Sequence, residues 1–219
     1  MGKNSEFWQF FNNEAAPKLA LREKTFRRVF EFLDLIDAPI TIVETGCARE
    51  AGNWAGDGQS TVIFDKYISS RDPESICYTV DIDSISVAEC RKLVSSRIQI
   101  TQEDSVHYLT GLVRELSLNG KFIDLLYLDS FDVDFTYWYP SAVHHLKELA
   151  AAMRCISERG LVVVDDCPLN ANVVPGSENQ LLILGAASVG GKGRLVAEYA
   201  AAAGAKLLFA EYQAGWTGF

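Results

Sequence analysis

The sequence predicts an α/β fold: a mainly parallel, doubly wound sheet with helices on both faces. Three observations predict it. Short apolar runs ending in acids or turn residues alternate with helix-like stretches, the pattern of strand-helix repeats. The runs are continuously apolar, as strands covered on both faces are. No repeat, charge block or Pro/Ser-rich linker divides the 219 residues, a length that suits one domain.

Residues 1–38 read as an N-terminal helical segment and 39–219 as the domain proper, one domain overall. Between Pro17 and Ile36, the residues Phe26, Val29, Phe30, Leu33 and Ile36 recur at helical spacing, and Pro17 suits a first turn. Strands are expected at Ile40–Glu44, Ile76–Asp81, Arg97–Thr101, Phe122–Asp129 and Leu161–Asp165, and helices at Gln59–Ser70, Ser84–Ser95, Ser105–Ser117 and Tyr137–Arg154. Cys167–Asn179 reads as a loop, followed by a Leu181–Leu184 run, a helix at Arg194–Ala203 and a strand at Lys206–Tyr212. The end supplies one or two further strands, the last of them antiparallel. The aromatic segment Phe7, Trp8, Phe10 and Phe11 must bury somewhere, either over the active-site edge or in a homodimer contact.

Charge and composition narrow the function. Lys and Arg number 20 against 29 Asp and Glu, a net charge of −9 that disfavours nucleic acid as a partner. No run approaches the roughly 18 apolar residues of a membrane span, and the N-terminus lacks a signal-peptide core, so a cytoplasmic protein is expected. The five cysteines are odd in number, widely spaced and free of C-x-x-C, which argues for reduced, buried thiols.

In an open parallel sheet, ligands bind beyond the carboxyl ends of the strands. The first strand ends in Glu44-Thr45-Gly46 and opens into CAREAGNWAGDGQST, whose glycines, Gly58 among them, allow tight turns near an anionic group, although any strand-to-helix turn favours glycine. Asp81 ends the second strand, where a carboxylate can take both hydroxyls of a ribose, while Asp83 suits a helix cap. After the third strand, Asp104 and Ser105 offer a polar turn beside an adenine, or simply an N-cap. Asp129 and the pair Asp165-Asp166 end the fourth and fifth strands. Neighbouring strands lie about 4.8 Å apart, and carboxylates that close need a retained proton or a cation; oxygen ligands suit magnesium. Alternatively, Asp165 and Asp166 alternate sides and one caps a loop.

Other features are weaker. His144 and His145 lie about 100° apart on a helix and cannot share a metal, and one of them reads as a surface residue. GAASVGGKGR lacks the first glycine and the Ser/Thr of a phosphate loop. Trp54, Phe131, Trp138 and Tyr139 could line a substrate pocket or serve the core.

Taken in order, VETGC, YTVDID, QEDS, IDLLYLDS and GLVVVDD resemble the successive motifs of class I S-adenosylmethionine-dependent methyltransferases over roughly Ile40 to Asp166. The acid ending strand four and the acid pair ending strand five are similar to the magnesium-dependent O-methyltransferases, of the catechol type and of the macrocin and cephalosporin-hydroxylase-like branch. The resemblance implies a Rossmann-like fold, S-adenosylmethionine held by Glu44, Gly46, Gly58, Asp81, Asp104 and Ser105, and Mg2+ held by Asp129, Asp165 and Asp166. Where catechol-type enzymes carry a lysine three residues after the first metal acid, this chain has Asp132, so Asp129 and Asp132 are the candidate catalytic residues. The acceptor would be a small molecule with vicinal oxygens. Rival readings are a nicotinamide-dependent oxidoreductase, for which the short G-x-G-x-x-G is missing, and a non-catalytic cofactor-binding domain.

Overall fold

A computed structural model describes residues 4–176 and 180–219. The strands are β1 (Thr41–Thr45), β2 (Ile76–Asp81), β3 (Ile98–Gln102), β4 (Ile123–Leu128), β5 (Ile156–Val164), β6 (Leu169–Pro175), β7 (Leu181–Val189), β8 (Lys206–Ala210) and β9 (Ala214–Thr217). The helices are α1 (Ser5–Phe10), α2 (Glu23–Leu33), α3 (Ser60–Ser69), α4 (Ser84–Leu93), α5 (Ser105–Leu118), α6 (Tyr139–Ala152) and α7 (Arg194–Ala203). Seven strands form the main sheet in the order β3-β2-β1-β4-β5-β9-β8. From β3 through β5 every pairing is parallel; β9 runs antiparallel to both β5 and β8. The antiparallel final strand expected from the sequence is β9.

Strand alternation divides the core into two layers. Ile42, Leu125, Tyr127, Leu161 and Val163 face one way, onto Phe26, Phe30 and Phe64 of α2 and α3. Val43, Leu126, Leu128, Val162 and Val164 face the other, onto Leu109, Leu149 and Val196 of α5, α6 and α7. Both faces of β1, β4 and β5 are thus buried, which is why these strands read as uninterrupted apolar runs.

Three expectations are corrected. The aromatic N-terminal segment lies in the chain's own core and not over the active-site edge: Phe7 packs on Phe30 and Tyr67 at ring distances of 4.5 and 4.8 Å, and the Trp8 indole donates to Asp34 at 2.7 Å. Residues 1–3 lie outside the described structure. The helix expected from Pro17 begins instead with two short turns, Ala16–Lys18 and Ala20–Arg22, because Ala20 takes a left-handed φ of +49° that no regular helix contains. Finally, the loop expected over Cys167–Asn179 contains β6, which pairs with β7 in a separate antiparallel ribbon. Pro175 ends the ribbon strand, where a missing N–H is tolerated; positions 177–179 lie outside the described residues.

Candidate active site

The carboxyl ends of β1, β2 and β4 meet in a cleft of about 250 Å³ lined by Gly46, Asp81 and Asp129. A second, more apolar cavity continues from it past Asp81 and Ser130 to Asp104, Ser105, Phe131 and His144. Gly46 makes the approach of β1 to β4 possible: its φ is +83°, and a Cβ there would lie 2.7 Å from the Asp129 carbonyl oxygen. Asp81 stands between the two cavities, its carboxylate accepting from the backbone N–H groups of Asp83 at 2.8 Å and Cys47 at 3.3 Å. Asp104 caps α5 by accepting from the His107 N–H at 3.0 Å. Among the described residues, the sequence-predicted Gly46, Asp81, Asp104, Ser105 and Asp129 therefore share one continuous cleft.

Glu44 and Gly58 are not in it. The Glu44 carboxyl is fully buried and accepts from the hydroxyls of Ser60 and Thr61, bracing the start of α3 behind the cleft. Burial pushes its pKa up to about 8, against the pull of these hydroxyls. Gly58, at φ +69°, packs on the Arg22 side chain. Asp132 sits at the cleft mouth, largely exposed, and pairs with Arg49 at 2.9 Å, joining the loop after β1 to the loop after β4.

At the ends of β4 and β5 the carboxylates converge as expected, and they are neutralised by the chain itself. Arg22 spans Asp165, with Nε at 2.7 Å from Oδ2, and reaches Asp166 at 3.0 Å. Lys192 pairs with Asp129 and lies 3.0 Å from Asp166. Tyr127 donates to Asp165 at 2.8 Å, Gln213 donates to Tyr127, and Thr25 donates to Gln213, so the back of the cluster is fully hydrogen-bonded. Asp166 does not turn to the opposite face: with a left-handed φ of +47° it meets Arg22, which also holds Asp165, and Lys192 as well. Burial alone would lower the Lys192 pKa, but Asp129 and Asp166 raise it overall. For Asp166, burial pushes upward and Lys192, Tyr212 and Arg22 outweigh it, holding the carboxyl below its usual range.

The described residues give no support to the divalent metal expected at Asp129, Asp165 and Asp166. Crowded carboxylates do need positive charge, but Lys192 and Arg22 supply it, and no group of three or more His, Cys, Asp or Glu side chains among the described residues is arranged to hold a metal ion. The donor set present does not fit Mg2+.

A polar network lies beneath the second cavity. His144 Nε2 is 2.9 Å from Ser105 Oγ and 3.3 Å from the buried Glu148, which also accepts from Ser130 Oγ. It orients both serines at the cavity wall. His145 is fully buried, with Nδ1 2.7 Å from the Ser141 carbonyl oxygen, and desolvation lowers its pKa to about 4. Neither histidine is a freely exposed surface group. Of the four aromatic candidates, Phe131 lines the second cavity, whereas Trp54 packs against the core with Lys18 over its ring.

No protein-family model matches the chain, and no curated protein matches it. Among solved structures, one described as a "putative O-methyltransferase" from Klebsiella pneumoniae aligns over 100% of this chain and 91% of its own, at 13% identity and a TM-score of 0.50. DesVI from Streptomyces venezuelae aligns over 100% of both chains at 10% identity and a TM-score of 0.49. DhpI in complex with SAH aligns over 98% of this chain and 93% of its own at 10% identity and a TM-score of 0.48. The Klebsiella protein and this chain share a Rossmann-like fold, a mainly parallel sheet with helices on both faces. Within this fold, sequence reasoning missed Arg22, Lys192, Tyr127 and Gln213. Arg22 had a visible signal: it falls on the apolar stripe of Phe26, Val29, Phe30 and Leu33, where a charge requires a buried partner.

Proposed function

We propose that the protein transfers a methyl group from S-adenosylmethionine to a hydroxyl of a small-molecule acceptor. The observation that carries this reading is the position of Asp81 between two connected cavities, with the Gly46 turn on one side and the Asp104-Ser105 turn on the other. A nucleoside with a charged arm fits such a cleft: Asp81 would accept the ribose hydroxyls, the more apolar cavity would take the base, and the side of the cleft lined by Gly46 would take the arm. The strand order supports it over a nicotinamide-dependent oxidoreductase, because a doubly wound dinucleotide-binding sheet carries its sixth strand parallel beside the fifth, whereas here antiparallel β9 stands there.

Bound S-adenosylmethionine would supply a sulfonium-activated methyl group. The chain's own residues would align an acceptor oxygen with it and accept the proton released as the O–C bond forms. Asp129 is the carboxylate at the cleft floor suited to that proton, and Asp132 lies at the mouth, engaged by Arg49. Isothermal calorimetry with S-adenosylmethionine and S-adenosylhomocysteine tests the reading: saturable binding of one or both is expected, and heat from neither ends it.

A further inference from the structure

We propose that Lys192 takes the place of a divalent cation in the Asp129–Asp165–Asp166 cluster, acting as a built-in positioning residue that makes the centre metal-independent. The Lys192 side chain is 1% exposed and its ammonium group is shared between Asp129 and Asp166, while Arg22 occupies Asp165 with two contacts, at 2.7 and 3.1 Å. Two cations against three carboxylates leave one net negative charge, the same balance that a single divalent ion would leave. The electrostatic need that draws a metal to such a cluster is therefore already met.

The lysine is aimed by a turn that only glycine permits. Gly191 has φ +51°, and a Cβ there would lie 2.1 Å from the Asp166 carbonyl oxygen; one on Gly190 would lie 2.5 Å from that of Pro168, and one on Gly193 2.4 Å from Cys167 Sγ. The Lys192 N–H donates to the Asp166 carbonyl at 3.2 Å and the Gly190 N–H to that of Pro168 at 3.0 Å. The GGKG turn is thus bound to the segment that carries the acids, and Lys192 enters from behind while Asp129 keeps one side on the cleft. The glycines that suggested a phosphate loop serve instead to let one lysine approach the acids.

One consequence rests on the proposed methyl transfer. A metal selects an acceptor with two neighbouring oxygens that can chelate it, whereas a carboxylate held by an ammonium needs only one hydroxyl as hydrogen-bond donor. The substrate class then widens from diols and catechols to molecules with a single hydroxyl.

The test uses Mn2+ alone, followed by electron paramagnetic resonance, with no cofactor or acceptor, so its outcome is independent of whether S-adenosylmethionine binds. The wild-type protein is expected to show no saturable Mn2+ site into the millimolar range. Lys192→Ala, folded by circular dichroism, is expected to gain Mn2+ affinity by about tenfold or more, since uncompensated carboxylates then face a cavity. Lys192→Arg restores the cation and should not gain it, and Asp129→Asn added to Lys192→Ala should remove the gain. Stoichiometric Mn2+ binding by the wild type that Asp129→Asn abolishes would overturn the proposal, as would a folded Lys192→Ala without any gain. If Lys192→Ala does not fold, the comparison of wild type with Asp129→Asn decides alone.

Discussion

Arg22 and Asp165 stand 143 residues apart in the chain and meet in a buried ion pair of 2.7 Å. The pair ties the turn ahead of α2 to the end of β5, across the face that Tyr127 and Gln213 seal. Removing one partner strands the other charge in the interior. Arg22→Met is therefore expected to cost about 3–5 kcal/mol in urea unfolding, and Asp165→Asn on that background to restore part of it. An Arg22→Met protein as stable as the wild type would mean that water reaches Asp165.

Gly46 faces two constraints where Gly52 faces one. Gly52 shares its left-handed backbone, at φ +77°, but a Cβ there meets nothing within 4 Å. Gly52→Ala should cost only the conformational penalty, about 1–2 kcal/mol. Gly46→Ala adds a clash with the Asp129 backbone and should cost about 1–3 kcal/mol more. Paired denaturation curves measure the difference, and equal losses would place the Asp129 backbone farther from β1 than described.

Asp81 offers a charged acceptor at the junction of the two cavities. Asp81→Ala is expected to weaken S-adenosylhomocysteine binding by about 1–3 kcal/mol in calorimetry, while Asp132→Ala, which removes only the exposed partner of Arg49, should change unfolding by less than about 1 kcal/mol. Undiminished binding by Asp81→Ala would remove the ribose role from this residue.

Glu44 makes stability depend on pH. Its carboxyl titrates near 8 in the folded chain against an ordinary 4.5, because burial disfavours the charge. The folded state then holds a proton that the unfolded state releases, so stability is fully present below about 4.5 and declines as the pH rises towards 8. Glu44→Gln should flatten that decline, with its gain over wild type larger at the upper end of this window than at the lower. Urea midpoints measured at both ends check it, and parallel wild-type and variant curves would assign the slope elsewhere.

Strand ends were the legible part of this sequence. Continuous apolar runs closed by Glu44, Asp81, Asp129 and Asp165 fix both the parallel core and the edge where chemistry gathers, because doubly covered strands tolerate polar groups only at their ends. Counter-charges were less legible. Lys192 is 63 residues from Asp129 and Arg22 is 143 from Asp165, and no local spacing encodes such pairings. The need for positive charge could be inferred from the acids; its source could not. The β6–β7 ribbon escaped notice for a different reason, since Pro168, Asn170 and Asn172 at its start carry turn chemistry and the ribbon lies outside the sheet whose rhythm guided the reading.

The interpolated position of β9 also bears on how the sheet is assembled. Within the main sheet, β8 has β9 as its sole neighbour, and β9 is in turn bonded along β5. Strand β8 emerges earlier in the chain yet has no edge to join until its successor has docked, so the two form one cooperative unit. Truncation before Ala214 would strip two strands rather than one and would leave β5, the strand leading into Asp165, as an open edge able to template pairing with another chain.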